Sequence, residues 1–253
     1  MRNNRSFFFA IAAVLVVILG GLGAYLALRP QYPNTHTTTI FVHGYASSYH
    51  AEEQMANYLT SHGASNSVVR ADVSENGHVK LVGKIKHHAK NPIVEMNYNA
   101  HNPQRDMKHY DQWLVNVVRV AQRQSGYNRI NLVGHSMGSL LAVQYVNRHA
   151  HDQNLPRLNH LVVLAGGLFP QFKQQMAGNI NKQTVKNLRV LNVYSDKAHG
   201  TDTRVPNKYS RALRPVFDSA KEYKQVELHG LTHSQIHEST QVDRILINFL
   251  FAR

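Results

Sequence analysis

One serine, a choice of two aspartates and one histidine stand in an order along this chain that could attack a carbonyl group. The serine lies in Asn131-Leu132-Val133-Gly134-His135-Ser136-Met137-Gly138, between a β-rich run, Ile130 to Val133, and a helix-period run through Leu140, Leu141, Val143 and Val146. A Gly-x-Ser-x-Gly turn between strand and helix exposes the serine hydroxyl on a sharp bend. Glycines at 134 and 138 keep Cβ atoms out of a crowded corner, and the helix behind aims its N-terminus at developing negative charge. A serine-capped helix start is the structural alternative; the buried strand ahead of the motif argues for chemistry.

A serine hydroxyl attacks only when a base takes its proton and an acid orients that base. In alternating α/β chains these partners follow the serine in the order acid, then histidine, on loops after later strands. Asp196 and Asp202 both follow the strand-like Arg189 to Tyr194. Asp196 sits where an aspartate commonly caps a turn, so Asp202, further out on the loop, is favoured as the acid. Among His229, His233 and His237, His233 falls in the loop Gly230-Leu231-Thr232-His233-Ser234 and is favoured as the base. The oxyanion would be met by two backbone N–H groups, that of Met137 after the serine and that of Tyr45 after His43-Gly44. His87-His88 is a weak metal signal, because adjacent side chains on an extended chain point apart; no cofactor or metal is expected.

The elements that must hold these residues alternate in period. Thr38 to Val42, Ile93 to Tyr98, Ile130 to Val133, Leu161 to Leu164, Val190 to Val193 and Val226 to Leu228 read as strands. Residues 50–62 carry Met55, Tyr58 and Leu59 at helical spacing; Tyr110, Trp113, Leu114, Val117, Val118 and Ala121 form one helical face, and Val242, Ile245, Leu246, Phe249 and Leu250 another. Val68 to Val73 and His78 to Ile85 flank Asn76-Gly77, which predicts a hairpin whose tight turn places both residues at positive φ. Such alternation implies a mostly parallel sheet with helices on both faces.

Size and composition agree: 253 residues with 43% hydrophobic content suit a globular domain, and zero Cys excludes disulfides, thiolate zinc and a cysteine nucleophile. From Phe7 to Leu28 run 22 residues without a charge, preceded by Arg2 and Arg5. That length suits a membrane-spanning helix, for which about 20 apolar residues suffice, and the arginines place the short tail in the cytoplasm and the rest outside. Residues 1–29 are therefore expected to be an uncleaved signal anchor and 30–253 one catalytic domain; cleavage and secretion is the alternative. Net charge is +13, of which 26 basic against 15 acidic residues from 29 onward contribute +11. Anionic lipid or an acidic cell-wall polymer would suit that surface, whereas no nucleic-acid recognition motif is present.

Phe41-Val42-His43-Gly44-Tyr45, the Asn-Gly hairpin, Asn91-Pro92-Ile93-Val94, the Gly-x-Ser-x-Gly run, Gly200-Thr201-Asp202 with Val205-Pro206, and His233-Ser234-Gln235-Ile236-His237-Glu238 together resemble the α/β-hydrolase family of cell-surface hydrolases in lactobacilli and listeriae. The resemblance spans about residues 36–252 and implies a lipase- or esterase-like fold, with Ser136, Asp202 and His233 at the family's serine, acid and base. Many members carry Ser-Asp-Gly where this chain has Thr201-Asp202-Thr203. Only about eight residues separate the apolar run from the first strand, which predicts a reduced sheet, and the segment of about 20 residues from Gly167 to Lys186 leaves room for a short lid. The expected activity is hydrolysis of a small-molecule or lipid ester; the alternatives are acyl transfer and a non-catalytic surface-binding protein on the same scaffold.

Overall fold

Each alternating run becomes part of one sheet and its covering helices. The computed structural model describes residues 3–28, 31–86, 89–101, 103–170, 180 and 182–252, with side chains left out at 3–6, 22, 24–28 and 103–106. The chain divides into two units, Met1–Gln31 and Tyr32–Arg253. The first is a single helix, α1 (Asn3–Leu28), whose large side chains between Phe7 and Leu19 are exposed. Among the described residues no helix is long and apolar enough to cross a membrane, so the expected span is not borne out there; the side chains described without a break, 7–21, fall short of the length a span needs.

The second unit holds β1 (Thr38–Val42), β2 (Val68–Val73), β3 (Val79–Val82), β4 (Ile93–Asn97), β5 (Arg129–His135), β6 (Arg157–Leu164), β7 (Arg189–Asp196) and β8 (Glu222–His229) in the order β3-β2-β4-β1-β5-β6-β7-β8. Only β2 and β3 pair antiparallel; every other neighbour is parallel. α3 (Pro103–Ser125) and α4 (Met137–His149) pack on one face, where Trp113, Leu114, Val117 and Leu141 meet Ile40, Val94 and Leu132. On the other face α2 (Glu53–Ser61) and α7 (Thr240–Phe251) bring Met55, Leu59, Leu246 and Phe249 onto Phe41, Val133 and Leu191. Two short helices, α5 (Lys182–Val185) and α6 (Asn207–Arg211), lie in the connections. Full burial of a Leu, Ile or Phe side chain stabilises by about 1.5 to 3 kcal/mol, so these two layers hold the sheet's register.

Parallel strands point their carboxyl ends to one edge, and successive connections leave β1 in opposite directions, β4 lying on one side of it and β5 on the other. Loops after β1, β5, β7 and β8 therefore converge at that edge, the place where α/β sheets present ligand sites.

Two expectations need correction. Among the described residues the sheet has eight strands, matching the strand-like runs that the sequence marks, so the expected reduction is not seen; the hairpin β2–β3 extends the sheet beyond β4. Within that hairpin only Gly77 takes positive φ, +80°. The connection is longer than a two-residue turn: Gly77 N–H donates to Ser74 O at 2.8 Å, Ser74 N–H to His78 O at 3.0 Å, and the Ser74 hydroxyl to Asn76 Oδ1 at 2.6 Å. It docks on α3, where Asn116 Nδ2 donates to Gly77 O at 2.9 Å and Trp113 occupies the space a Cβ would need. Of the expected lid, residues 171–179 and 181 lie outside the described ones; Leu168 is buried in the core, its N–H donating to Tyr209 O at 2.9 Å.

Candidate active site

The turn between β5 and α4 crowds three chain segments into one corner. A Cβ on Gly134 would run into the backbone of Gly138, and one on Gly138 into the Val42 carbonyl of the neighbouring strand. Glycine at both positions lets β5, α4 and β1 approach to backbone contact. Ser136 sits at φ +54°, ψ −118°, a sparsely populated conformation for a residue with a side chain. Such strain costs about 1 to 3 kcal/mol. Its surroundings hold it: Ser136 N–H donates to Leu164 O at 2.9 Å, and the Ser139 hydroxyl binds Gly134 O at 2.5 Å while meeting the Leu164 amide at 3.2 Å.

Three sequence candidates meet there. Ser136 Oγ lies 2.8 Å from His233 Nε2, and His233 Nδ1 lies 2.8 Å from Asp202 Oδ2. With the carboxylate accepting from Nδ1–H, Nε2 is left as an acceptor for the serine O–H. Asp202 is 1% exposed, and its other oxygen accepts from Arg204 N–H at 2.9 Å and Val205 N–H at 2.7 Å. Asp196 does not take part: it accepts from Gly200 N–H at 3.1 Å and so caps its own loop. His229 is exposed at the end of β8, and His237 packs its ring 4.3 Å from that of His135. His87 and His88 lie outside the described residues; among those described no group of His, Cys, Asp or Glu could hold a metal ion.

Met137 directly follows Ser136 and Tyr45 lines the same cleft as the serine; among the described residues neither N–H has an acceptor. Gly44 brings Tyr45 close without any positive φ; a Cβ there would stand 3.1 Å from Ser136 Cβ. Its value is therefore close approach rather than a left-handed backbone.

Two histidines whose roles the sequence did not reveal support this arrangement. His43 stacks on Tyr98, centroids 4.4 Å apart, accepts at Nε2 from Tyr98 N–H at 3.4 Å, and donates from Nδ1 to Gly44 O at 2.9 Å. The peptide is planar and trans, so holding the Gly44 carbonyl toward His43 turns the Tyr45 N–H the opposite way. Burial outweighs those two bonds and lowers His43 to about 4, leaving a neutral ring at pH 7. His135 bonds through Nε2 to the His233 carbonyl at 3.2 Å, tying the loop of one histidine to the serine turn. Burial, then the neighbouring His237 and His233, hold it well below the usual imidazole range, so it too is neutral.

Ser136 opens into a cleft of about 490 Å³ between the loops after β1, β5, β6, β7 and β8, with Tyr45, Phe169, Arg204, His233 and His237 in its walls. Serine, imidazole and buried carboxylate in line can deprotonate a hydroxyl, and the unbonded N–H groups of Tyr45 and Met137 are available to stabilise an oxyanion.

The chain resembles solved structures along nearly all of their length. A Listeria innocua gene product is 24% identical with a TM-score of 0.72, over 85% of this chain and 93% of that one. A candidate cell surface hydrolase from Lactobacillus plantarum WCFS1 is 15% identical, TM-score 0.66, over 85% and 90%. A lipase-esterase related protein from Clostridium acetobutylicum is 13% identical, TM-score 0.53, over 85% and 94%. At these identities the likeness establishes the fold. No curated protein matches the chain in sequence. Residues 29–181 and 168–253 match the family described as "Alpha/beta hydrolase of unknown function (DUF915)", and the chain belongs to that family.

Proposed function

We propose that this α/β hydrolase is a serine esterase. The observation that carries the reading is the unbroken line from Ser136 Oγ through the His233 ring to the buried Asp202 carboxylate, each link 2.8 Å. His233 Nε2 takes the serine proton as Oγ attacks the ester carbonyl, and Asp202 stabilises the imidazolium that forms. The oxyanion is met by the Tyr45 and Met137 N–H groups, the former aimed by His43. His233 then protonates the leaving alcohol, water takes the place of serine in a second attack, and the acid departs. No cofactor enters this sequence. Esterase- and lipase-related proteins among the structural neighbours agree with an ester as the bond cleaved.

The uncharged run Phe7–Leu28 behind Arg2 and Arg5 supports export, with the helix as an anchor and the catalytic unit outside the cell, where its +11 surface faces anionic lipid or wall polymer. Full-length protein should then stay with membranes washed in high salt and be cut by protease added outside intact cells; a shortened protein in the medium would show cleavage instead.

The test of the chemistry is a fluorophosphonate probe together with a p-nitrophenyl ester series on the full chain. One site should label, and Ser136→Ala should abolish labelling and lower kcat/KM by about 10³-fold or more with little change in Tm. Labelling that survives in Ser136→Ala would sink the proposal, and labelling without ester turnover would direct the search to acyl transfer.

A further inference from the structure

The walls of the cleft are unequal in charge. Arg204, two residues beyond Asp202, places its exposed side chain in the same cleft as Ser136 and His233. Its backbone N–H is bound to Asp202, whereas its guanidinium has no carboxylate partner among the described residues. Among the described residues no Asp or Glu lines the cleft. Asp202, two residues before it in the chain, is buried and occupied by His233 and two backbone amides. Burial lowers His135 and His237, so these rings add no positive charge at pH 7. Among the described residues that line the cleft, Arg204 is thus the one with a fixed charge, sharing the cleft with Ser136 and with the rings of Tyr45 and Phe169 as apolar surface.

An unpaired guanidinium in a concave site is a donor fork suited to a carboxylate or phosphate, and such charge-assisted pairs are stronger than neutral hydrogen bonds. Resting on the esterase reading above, we infer that the substrate is an ester bearing an anionic group near the scissile bond, and that Arg204 is the residue that selects it. Hydrolysis itself is unchanged: water is consumed, an acid and an alcohol leave, and the anionic group stays on whichever product carried it.

The experiment compares 4-acetoxybenzoate and 4-acetoxyphenyl phosphate with the neutral methyl 4-acetoxybenzoate on the full chain, each rate normalised to hydrolysis by hydroxide. Both anions should be favoured in kcat/KM by about tenfold, mainly through KM, with the larger value identifying carboxylate or phosphate. Arg204→Gln should erase that preference and Arg204→Lys should restore part of it, because lysine keeps the charge without the fork. Calorimetric titration of the Ser136→Ala chain with 4-acetoxybenzoate gives a second readout free of turnover. It should bind more tightly than its methyl ester, and adding Arg204→Gln should remove the difference. Equal handling of charged and neutral esters overturns the role of Arg204 while leaving the esterase standing. If no ester turns over, the esterase reading fails and the titration alone decides: a charge preference lost in Arg204→Gln upholds anion recognition, and its absence refutes it.

Discussion

Asp196 and Asp202 leave the same strand, yet only the second reaches His233, because the first carboxylate is used within its own turn. Between them the chain doubles back: Lys197 N–H donates to Thr201 O at 2.9 Å and Asn207 N–H to Gly200 O at 2.8 Å, which carries Asp202 under the imidazole. If Asp202 orients the ring and stabilises its cation, Asp202→Asn should lower kcat by about 10³- to 10⁴-fold while leaving the fold intact. Asp196→Asn should cost less than about tenfold, since Asn can still cap the turn. Steady-state kinetics on the two variants with one p-nitrophenyl ester check this, and the reverse ranking would move the acid to Asp196.

At the scale of elements, the loop after β7 carries a local cost. Thr203 adopts φ +88°, a left-handed conformation that is unfavourable for a β-branched residue. Glycine, with no Cβ, takes that backbone without the penalty. Thr203→Gly should therefore stabilise the protein by about 1 kcal/mol, read as a higher midpoint in urea. An unchanged or lower midpoint would show that the contacts of the threonine offset its strain. Elsewhere a buried polar side chain stitches elements together: Asn91 donates to Pro33 O and Ala64 O, each at 2.8 Å, and accepts from Thr35 N–H and its hydroxyl at 2.8 Å. This satisfies the amide fully and clamps the segment ahead of β1 to the start of β4.

For the whole molecule, buried acids shape the response to pH. Glu95 on β4 is 5% exposed, and burial, then the nearby Glu53 charge, raises it to about 7; burial and Glu95 raise Glu52 as well. Folded Glu95 keeps its proton up to about pH 7, whereas an unfolded chain loses it near 4.5. The unfolded state therefore binds fewer protons between those values, and stability falls as pH rises through them. Glutamine mimics the protonated carboxyl, so Glu95→Gln should gain on the wild type across pH 4.5 to 7.5, by up to on the order of 3 kcal/mol. His43 and His160, lowered to about 4 and about 3, act in the opposite sense as pH falls below 6.5, and they cancel in the difference because both proteins contain them. Urea midpoints at three pH values test this; a difference that stays flat with pH would refute it.

Periodicity and turn chemistry were sufficient to define the alternating elements, because strands buried on both faces and helices buried on one leave distinct apolar patterns. The serine turn was legible for the same reason: Gly134, Ser136 and Gly138 encode a local geometry within a few residues. The role of His43 and the strand order that puts the hairpin at the edge of the sheet were not legible, since each depends on what lies across a loop or beside a strand. Sequence marks His43 as one of 17 histidines; only the stack on Tyr98 and the bond to the Gly44 carbonyl single it out. Chain order alone favoured Asp202 and His233, but their convergence on Ser136 is a property of the sheet, whose parallel strands bring residues 31 to 97 positions apart within 2.8 Å.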